Sequence, residues 1–278
     1  MANIPADDQE LTREFSEREA VEQATGLSAR LVFETIRREG EEELRRPALS
    51  LFWSGVAAGI LISFSVLAEA ALRISLPDVP WRHIVENFGY SMGFLLVILG
   101  RMQLFTENTI TTVVPTVIDP RGCITCLLQL WGIVLVANVI GAFAIATFLA
   151  HTPVLSPELS DAVTALSVHA THMEPLVGFV RGIPAGILIA ALVWMLPSAQ
   201  GGQVALIVLF TWLIALGDFT HIIAGSVEMA FLLVTGDLSI ARATFGFFIP
   251  VLAGNVVGGT LVFTMLTWAQ VRHEMSEE

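Results

Sequence analysis

The sequence predicts an all-α membrane protein of six transmembrane helices, built as two inverted three-helix repeats with the second and fifth helices broken. Three observations carry this. Of 278 residues, 54% are apolar and 14% charged, against roughly 25% charged in a soluble domain. Long apolar segments fall at approximately 49–72, 84–117, 122–150, 175–197, 203–235 and 241–271. Motifs in the first three segments recur in the last three.

The chain begins polar, and residues 1–46 read as a separate cytoplasmic segment ahead of a transmembrane domain at 47–272 and a short tail at 273–278. Pro5 to Gly26 is acidic. From Ser28 to Arg38, a serine N-cap precedes Leu31, Val32, Phe33 and Ile36, which predicts one amphipathic helix ended by Gly40. That helix is either a solvated cap on the membrane face or a regulatory plug or partner site. No cleavable signal peptide is visible, because the first apolar run follows this polar stretch. Arginines precede the first span, with Arg121 and Arg272 on the same side, whereas Arg73, Arg82 and Arg242 fall opposite. The balance predicts that both termini are cytoplasmic.

Two segments are too long for a straight crossing. Val204 to Val234 as one helix would measure roughly 46 Å, beyond a hydrocarbon core of about 30 Å. Gly217-Asp218-Phe219-Thr220-His221-Ile222-Ile223-Ala224-Gly225-Ser226 sits in its middle. Ile84 to Pro115 poses the same problem, with Leu104-Phe105-Thr106-Glu107-Asn108-Thr109 at its centre. Backbone freed by such breaks is tolerated in lipid only where protein or water covers it, so a cavity or pathway is expected beside both. Half-helices starting near Asn108 and Ile222 would aim free N–H groups and positive dipole ends inward, which favours an anion.

The repeat has three anchors. Gly55-Val56-Ala57-Ala58-Gly59 echoes Gly182-Ile183-Pro184-Ala185-Gly186, a step of 127 residues from Gly55 to Gly182. Phe105-Thr106 echoes Phe219-Thr220, a step of 114, and Asn138 with Gly141 echoes Asn255 with Gly258, a step of 117. Units of three spans must sit upside down to each other, as in many transporters and channels.

These residues resemble the formate/nitrite transporter family over roughly 45–272. Leu104 to Thr109 is similar to the family's first broken-helix loop, L-F-T-x-N-T. Gly217 to Ala224 is similar to the second, in which His221 takes the place of the pore histidine. Arg181-Gly182-Ile183 through Val193-Trp194-Met195 looks like the fourth span, and Gly254-Asn255-Val256-Val257-Gly258-Gly259 like the sixth. The resemblance implies an aquaporin-like fold, a homopentamer in a bacterial inner membrane, and a channel for a small monovalent anion or weak acid, with no cofactor. It implies His221 as central proton donor or relay, Thr106 as its hydroxyl neighbour, Leu104 and Phe105 as a constriction, and Tyr90 and Phe219 as pore wall. The chain departs from the family, as a divergent branch, at Gly186 and Gly225 (often Asn) and at Thr220 (commonly Glu). Glu107, Arg101 and Arg181 add charges.

An ionisable side chain inside a membrane is by default a functional candidate, and an imidazole changes charge near neutral pH. His221 could therefore protonate a passing anion, which then crosses apolar walls as a neutral acid. Thr106 and Thr220 either line the path or bond freed backbone. Glu107 with Arg181, or with Arg101, could be an ion pair holding the first loop. Asn138 and Asn255 suit interhelical hydrogen bonds, and Glu228 suits a capped or paired carboxylate near the membrane edge. Cys123 and Cys126 form a C-x-x-C with no second ligand pair nearby, which suits small apolar packing. The net charge of −12 argues against nucleic acid as partner. Two alternatives remain: a pore for a neutral solute, because two Asn-to-Gly departures remove polar groups, and an intramembrane serine protease using Ser226 and His221. The second lacks a G-x-S-G context at Ala224-Gly225-Ser226-Val227, and five residues is an awkward separation for a dyad on one helix.

Overall fold

The computed structural model describes residues 26–199 and 201–275; most of the acidic Pro5–Gly26 stretch and the end of the tail lie outside them, as do the side chains of Arg121 and Cys123. Ten main helices make up this part: α1 Ala29–Arg45, α2 Ala48–Ser75, α3 Ser91–Leu99, α4 Asn108–Ile118, α5 Pro120–His151, α6 Pro157–Thr171, α7 Pro175–Met195, α8 Gln203–Leu216, α9 Ile222–Thr235 and α10 Arg242–Glu274. Short helical turns at Arg82–Glu86 and Asn87–Tyr90 lead into α3. Four helices (α2, the described apolar part of α5, the stretch containing α7, and α10) are long and apolar enough to cross a membrane, while α4, α8 and α9 are shorter apolar pieces.

Close packing follows from glycine. On the α2–α5 contact, a Cβ on Gly59 would stand 2.1 Å from the Asn138 carbonyl oxygen, and one on Gly141 2.2 Å from that of Val56. The α7–α10 contact repeats this, with Gly186 2.2 Å from the Asn255 oxygen and Gly258 2.0 Å from that of Ile183. Only residues without a side chain let these backbones touch, the usual device for helix association in lipid. Gly186 is thus a packing residue, and it lines neither cavity described below.

The amphipathic helix α1 is longer than its sequence pattern predicts. Ser28 caps it, accepting from the Leu31 N–H at 3.3 Å, but Gly40 does not end it. The helix runs through to Arg45, and Gly40 instead presses against the Thr111 carbonyl, where a Cβ would come within 1.9 Å. Val32, Phe33 and Ile36 join Ile110, Val114, Ala190, Val193 and Val271 in a separate apolar cluster. Fully burying Phe33 and Ile36 contributes about 1.5–3 kcal/mol each, which clamps α1 onto α4, α7 and the end of α10.

Candidate functional site: a septum between two cavities

Both long apolar runs break, at Gly100–Glu107 and at Gly217–His221. The two loops have one construction. Arg101 (φ 54°) and Asp218 (φ 56°) are the described non-glycine residues in the left-handed region, a costly conformation that persists where surroundings impose it. The next N–H closes each turn: Met102 donates to the Val97 oxygen at 3.0 Å and Phe219 to that of Ile214 at 2.9 Å.

One asparagine then holds each loop from a neighbouring helix. Asn138 on α5 donates to the carbonyls of Gly55 and Gln103, both at 2.8 Å, and accepts from the Phe105 N–H at 2.9 Å. Asn255 on α10 donates to Gly182 at 3.0 Å and Thr220 at 2.8 Å, and accepts from the Ile222 N–H at 2.9 Å. Both asparagines are fully buried. Each satisfies backbone groups that a broken helix leaves open.

These bonds equate Gln103 with Thr220 and Phe105 with Ile222, a step of 117 residues like that from Asn138 to Asn255. The Phe-Thr echo at a step of 114 is therefore not the structural correspondence. His221 matches Leu104, and the shared dipeptide lies three residues out of register.

His221 is the N-cap of α9, and its Nδ1 accepts the Ala224 N–H at 3.2 Å. A neutral ring so held carries its proton on Nε2, which donates to Thr106 Oγ1 at 2.7 Å. Phe94 closes edge-on against the imidazole, with ring centroids 5.0 Å apart. The ring is 2% exposed, and Leu104, Phe105, Thr106 and Phe94 are equally shut in. A second proton would need Nδ1 and therefore the loss of the Ala224 cap. As it stands, His221 is a neutral hydrogen-bond donor. The half-helix ends are likewise engaged: at α9 the Ile222 and Ala224 N–H groups have protein partners, and at α4 those of Asn108 and Ile110 donate to the Phe105 and Glu107 carbonyls at 3.1 and 3.2 Å. They do not form the free anion cradle expected of them.

Cavities lie on both sides of this septum. One, of about 510 Å³, reaches His221, Thr220 and Phe219, with Tyr90, Glu69 and Glu228 on its walls. The other, of about 910 Å³, reaches Gln103, Glu107 and Asn108 and lies under α1. Leu104, Phe105 and Thr106 line neither cavity. Gly225 abuts the first, where a Cβ would meet Phe247 Cζ at 2.4 Å, so a ring occupies the space beside it.

The charged candidates pair differently from expectation. Arg181 bonds Asp218 at 3.0 Å, and Asp218 also bonds His169 at 2.8 Å. Arg101 stands 3.6 Å from Glu39 of α1. Glu107 pairs with neither arginine, and its Oε1 is buried without a hydrogen-bond partner among the described residues. The reason is position: Arg181 anchors the second loop, whereas Glu107 faces the cavity across the septum. Asp218, which sequence reasoning missed, could have been found from its place just before Phe219 in the second break. Thr220 donates to the Gly178 oxygen at 2.9 Å, which settles its hydroxyl on backbone. Glu228 has no hydrogen bond or ion pair among the described residues, and it lies in the cavity rather than capped at an edge. Ser226 donates to the Ile222 oxygen at 2.7 Å while His221 is turned to Thr106, so the pair forms no protease dyad. Cys126 is exposed, not packed.

Fold and septum together define a helical membrane protein with a closed passage between two cavities. A sequence model of the formate/nitrite transporter family matches residues 30–269, and the chain belongs to that family. Inner membrane protein YfdC of Escherichia coli (strain K12) is 41% identical over 90% of this chain and 81% of its own length. Formate channel FocA of Haemophilus influenzae is 24% identical over 78% of this chain and 84% of its own. Among solved structures, a pentameric formate channel with formate bound aligns with TM-score 0.70 at 24% identity, covering 81% of this chain and 98% of that one. An FNT family ion channel aligns with TM-score 0.76 at 16% identity, over 86% and 98%.

Proposed function

We propose that the chain is a channel for a small monovalent anion that crosses the septum as its neutral weak acid, formate being the reference case. One observation carries this reading: the N–H of His221 meets a single hydroxyl, Thr106, inside an otherwise apolar plug with a cavity on each side. A permeant acid exchanges Thr106 for itself as acceptor and keeps one hydrogen bond through a region that rejects bare charge. The related formate channels support the substrate class. The matching asparagine clamps and glycine contacts of the two halves support six spans in two inverted repeats. A homopentamer in a bacterial inner membrane fits the pentameric channel and YfdC, and the arginine distribution supports cytoplasmic termini.

The test is uptake by proteoliposomes of formate and of formamide, a neutral molecule of like size. The reading expects formate flux well above protein-free vesicles and acidification of the lumen with it. Equal enhancement of formamide and formate, without acidification, overturns it in favour of a neutral pore.

A further inference from the structure

The cavity on the His221 side is lined by more carboxylates than an anion's antechamber should tolerate. Most are neutralised. Glu86 lies 3.2 Å from Arg82 and 3.7 Å from Arg73, with His83 at 3.8 Å, and Asp78 lies 3.1 Å from Arg82. Asp218 is held by Arg181 and His169. Two are not. Glu69 on α2 and Glu228 on α9 have no hydrogen bond or ion pair among the described residues, and Arg73, the cation acting on Glu69, is already engaged by Glu86. Tyr90, 8% exposed, lines the same cavity as both carboxylates. Its hydroxyl has no hydrogen-bond partner among the described residues and opens on the same cavity.

Ionised together, these two carboxylates would bar the way. At an effective dielectric of 20, a unit charge about 5 Å from another of like sign is disfavoured roughly 300-fold. Two carboxyl groups that share one cavity resolve this when one of them holds a proton. We infer that Glu69, Glu228 and the Tyr90 hydroxyl form a proton-loading site that converts the incoming anion to its neutral acid before it meets His221. Resting on the weak-acid reading above, this names the proton source that the capped imidazole cannot be. In the step, an O–H bond of the carboxylic acid breaks as one forms on formate, and the negative charge passes from formate to the carboxylate. The carboxylate regains a proton from hydronium at the cavity mouth, beside the exposed Asp78 and His169. Tyr90 donates to whichever oxygen carries the charge.

The full-length protein carrying Glu69→Gln and Glu228→Gln, singly and together, tests this in two ways. Formate flux of the double variant should match wild type at pH 5 and fall about tenfold below it at pH 7.5, with Glu69→Asp restoring part of the loss. Superimposed pH profiles, or higher flux at pH 7.5, overturn the site, the latter by making the carboxylates a plain barrier. Independently of transport, infrared difference spectra at pH 7.5 should show a protonated-carboxyl band in wild type that the double variant lacks; its persistence overturns the site. If wild type carries no formate, the weak-acid reading fails, and the spectrum alone decides whether the proton is held.

Discussion

His221 Nε2 and Thr106 Oγ1 stand 2.7 Å apart across 115 residues of chain, and among the described residues neither atom has another side-chain hydrogen-bond partner. Each belongs to a different broken helix, so this bond is where the two halves close the passage. Thr106→Val keeps the shape and removes the acceptor. Losing one such bond costs about 1 kcal/mol net, more if the donor stays buried and unsatisfied. Thermal denaturation of the purified protein should show a modest loss of stability. Formate flux should stay within about threefold of wild type, because the permeant itself supplies the acceptor.

The asparagine clamps carry more. Asn138→Ala strands the Phe105 N–H and the Gly55 and Gln103 carbonyls, and Asn255→Ala strands their counterparts. An unsatisfied buried group costs about 1–3 kcal/mol. Both variants should melt well below wild type in detergent, as read by size-exclusion chromatography after heating. Asn→Asp should not rescue them, because it lacks the two N–H donors.

Helix contact predicts a contrast between glycines. Gly186→Ala and Gly258→Ala force a methyl within 2.2 Å of backbone oxygen, whereas Gly132 has nothing within 4 Å. Backbone cannot yield as a side chain can, and overpacking costs typically about 1–3 kcal/mol. Folded yield should collapse for the first two and stay at wild-type level for Gly132→Ala.

Outside the membrane segments, Glu34 on α1 bonds Arg37 at 2.7 Å and Arg38 at 2.8 Å, and Arg37 also engages Glu41. The Arg37 hydrogen bond above all holds the Glu34 carboxyl down, from 4.5 to about 2. A depressed carboxylate contributes stability that is present above its unfolded value and lost as pH falls through its folded one. Hydrogen exchange in α1, corrected for intrinsic rates, should therefore rise between pH 4.5 and 2. Glu34→Gln should remove that dependence.

Much of this was legible in the chain because lipid constrains it severely. A 31-residue apolar run containing Asp218 and His221 cannot cross straight, and Asn beside Gly in two spans marks close helix contact. Three things were hidden. The Phe-Thr echo misled the register because loops conserve bond geometry, and a buried Asn can clamp any backbone, whatever side chains lie beside it. The partner of Arg181 depended on which side of the septum each charge faces, which spacing does not encode. The meeting of Glu69, Tyr90 and Glu228 in one cavity joins three separate elements, and no local pattern announces it.

In the proposed channel, His221 serves as a neutral donor held by its cap, not as a titrating ring. Formate flux at pH 7 through wild type, His221→Asn and His221→Ala measures this directly. Asparagine offers an oxygen for the Ala224 N–H and an N–H for the permeant, so His221→Asn should keep flux within about tenfold of wild type while His221→Ala falls further, by the loss of both bonds. If His221→Asn is as inactive as His221→Ala although equally well folded, permeation requires a titrating imidazole and His221 is not a fixed neutral donor.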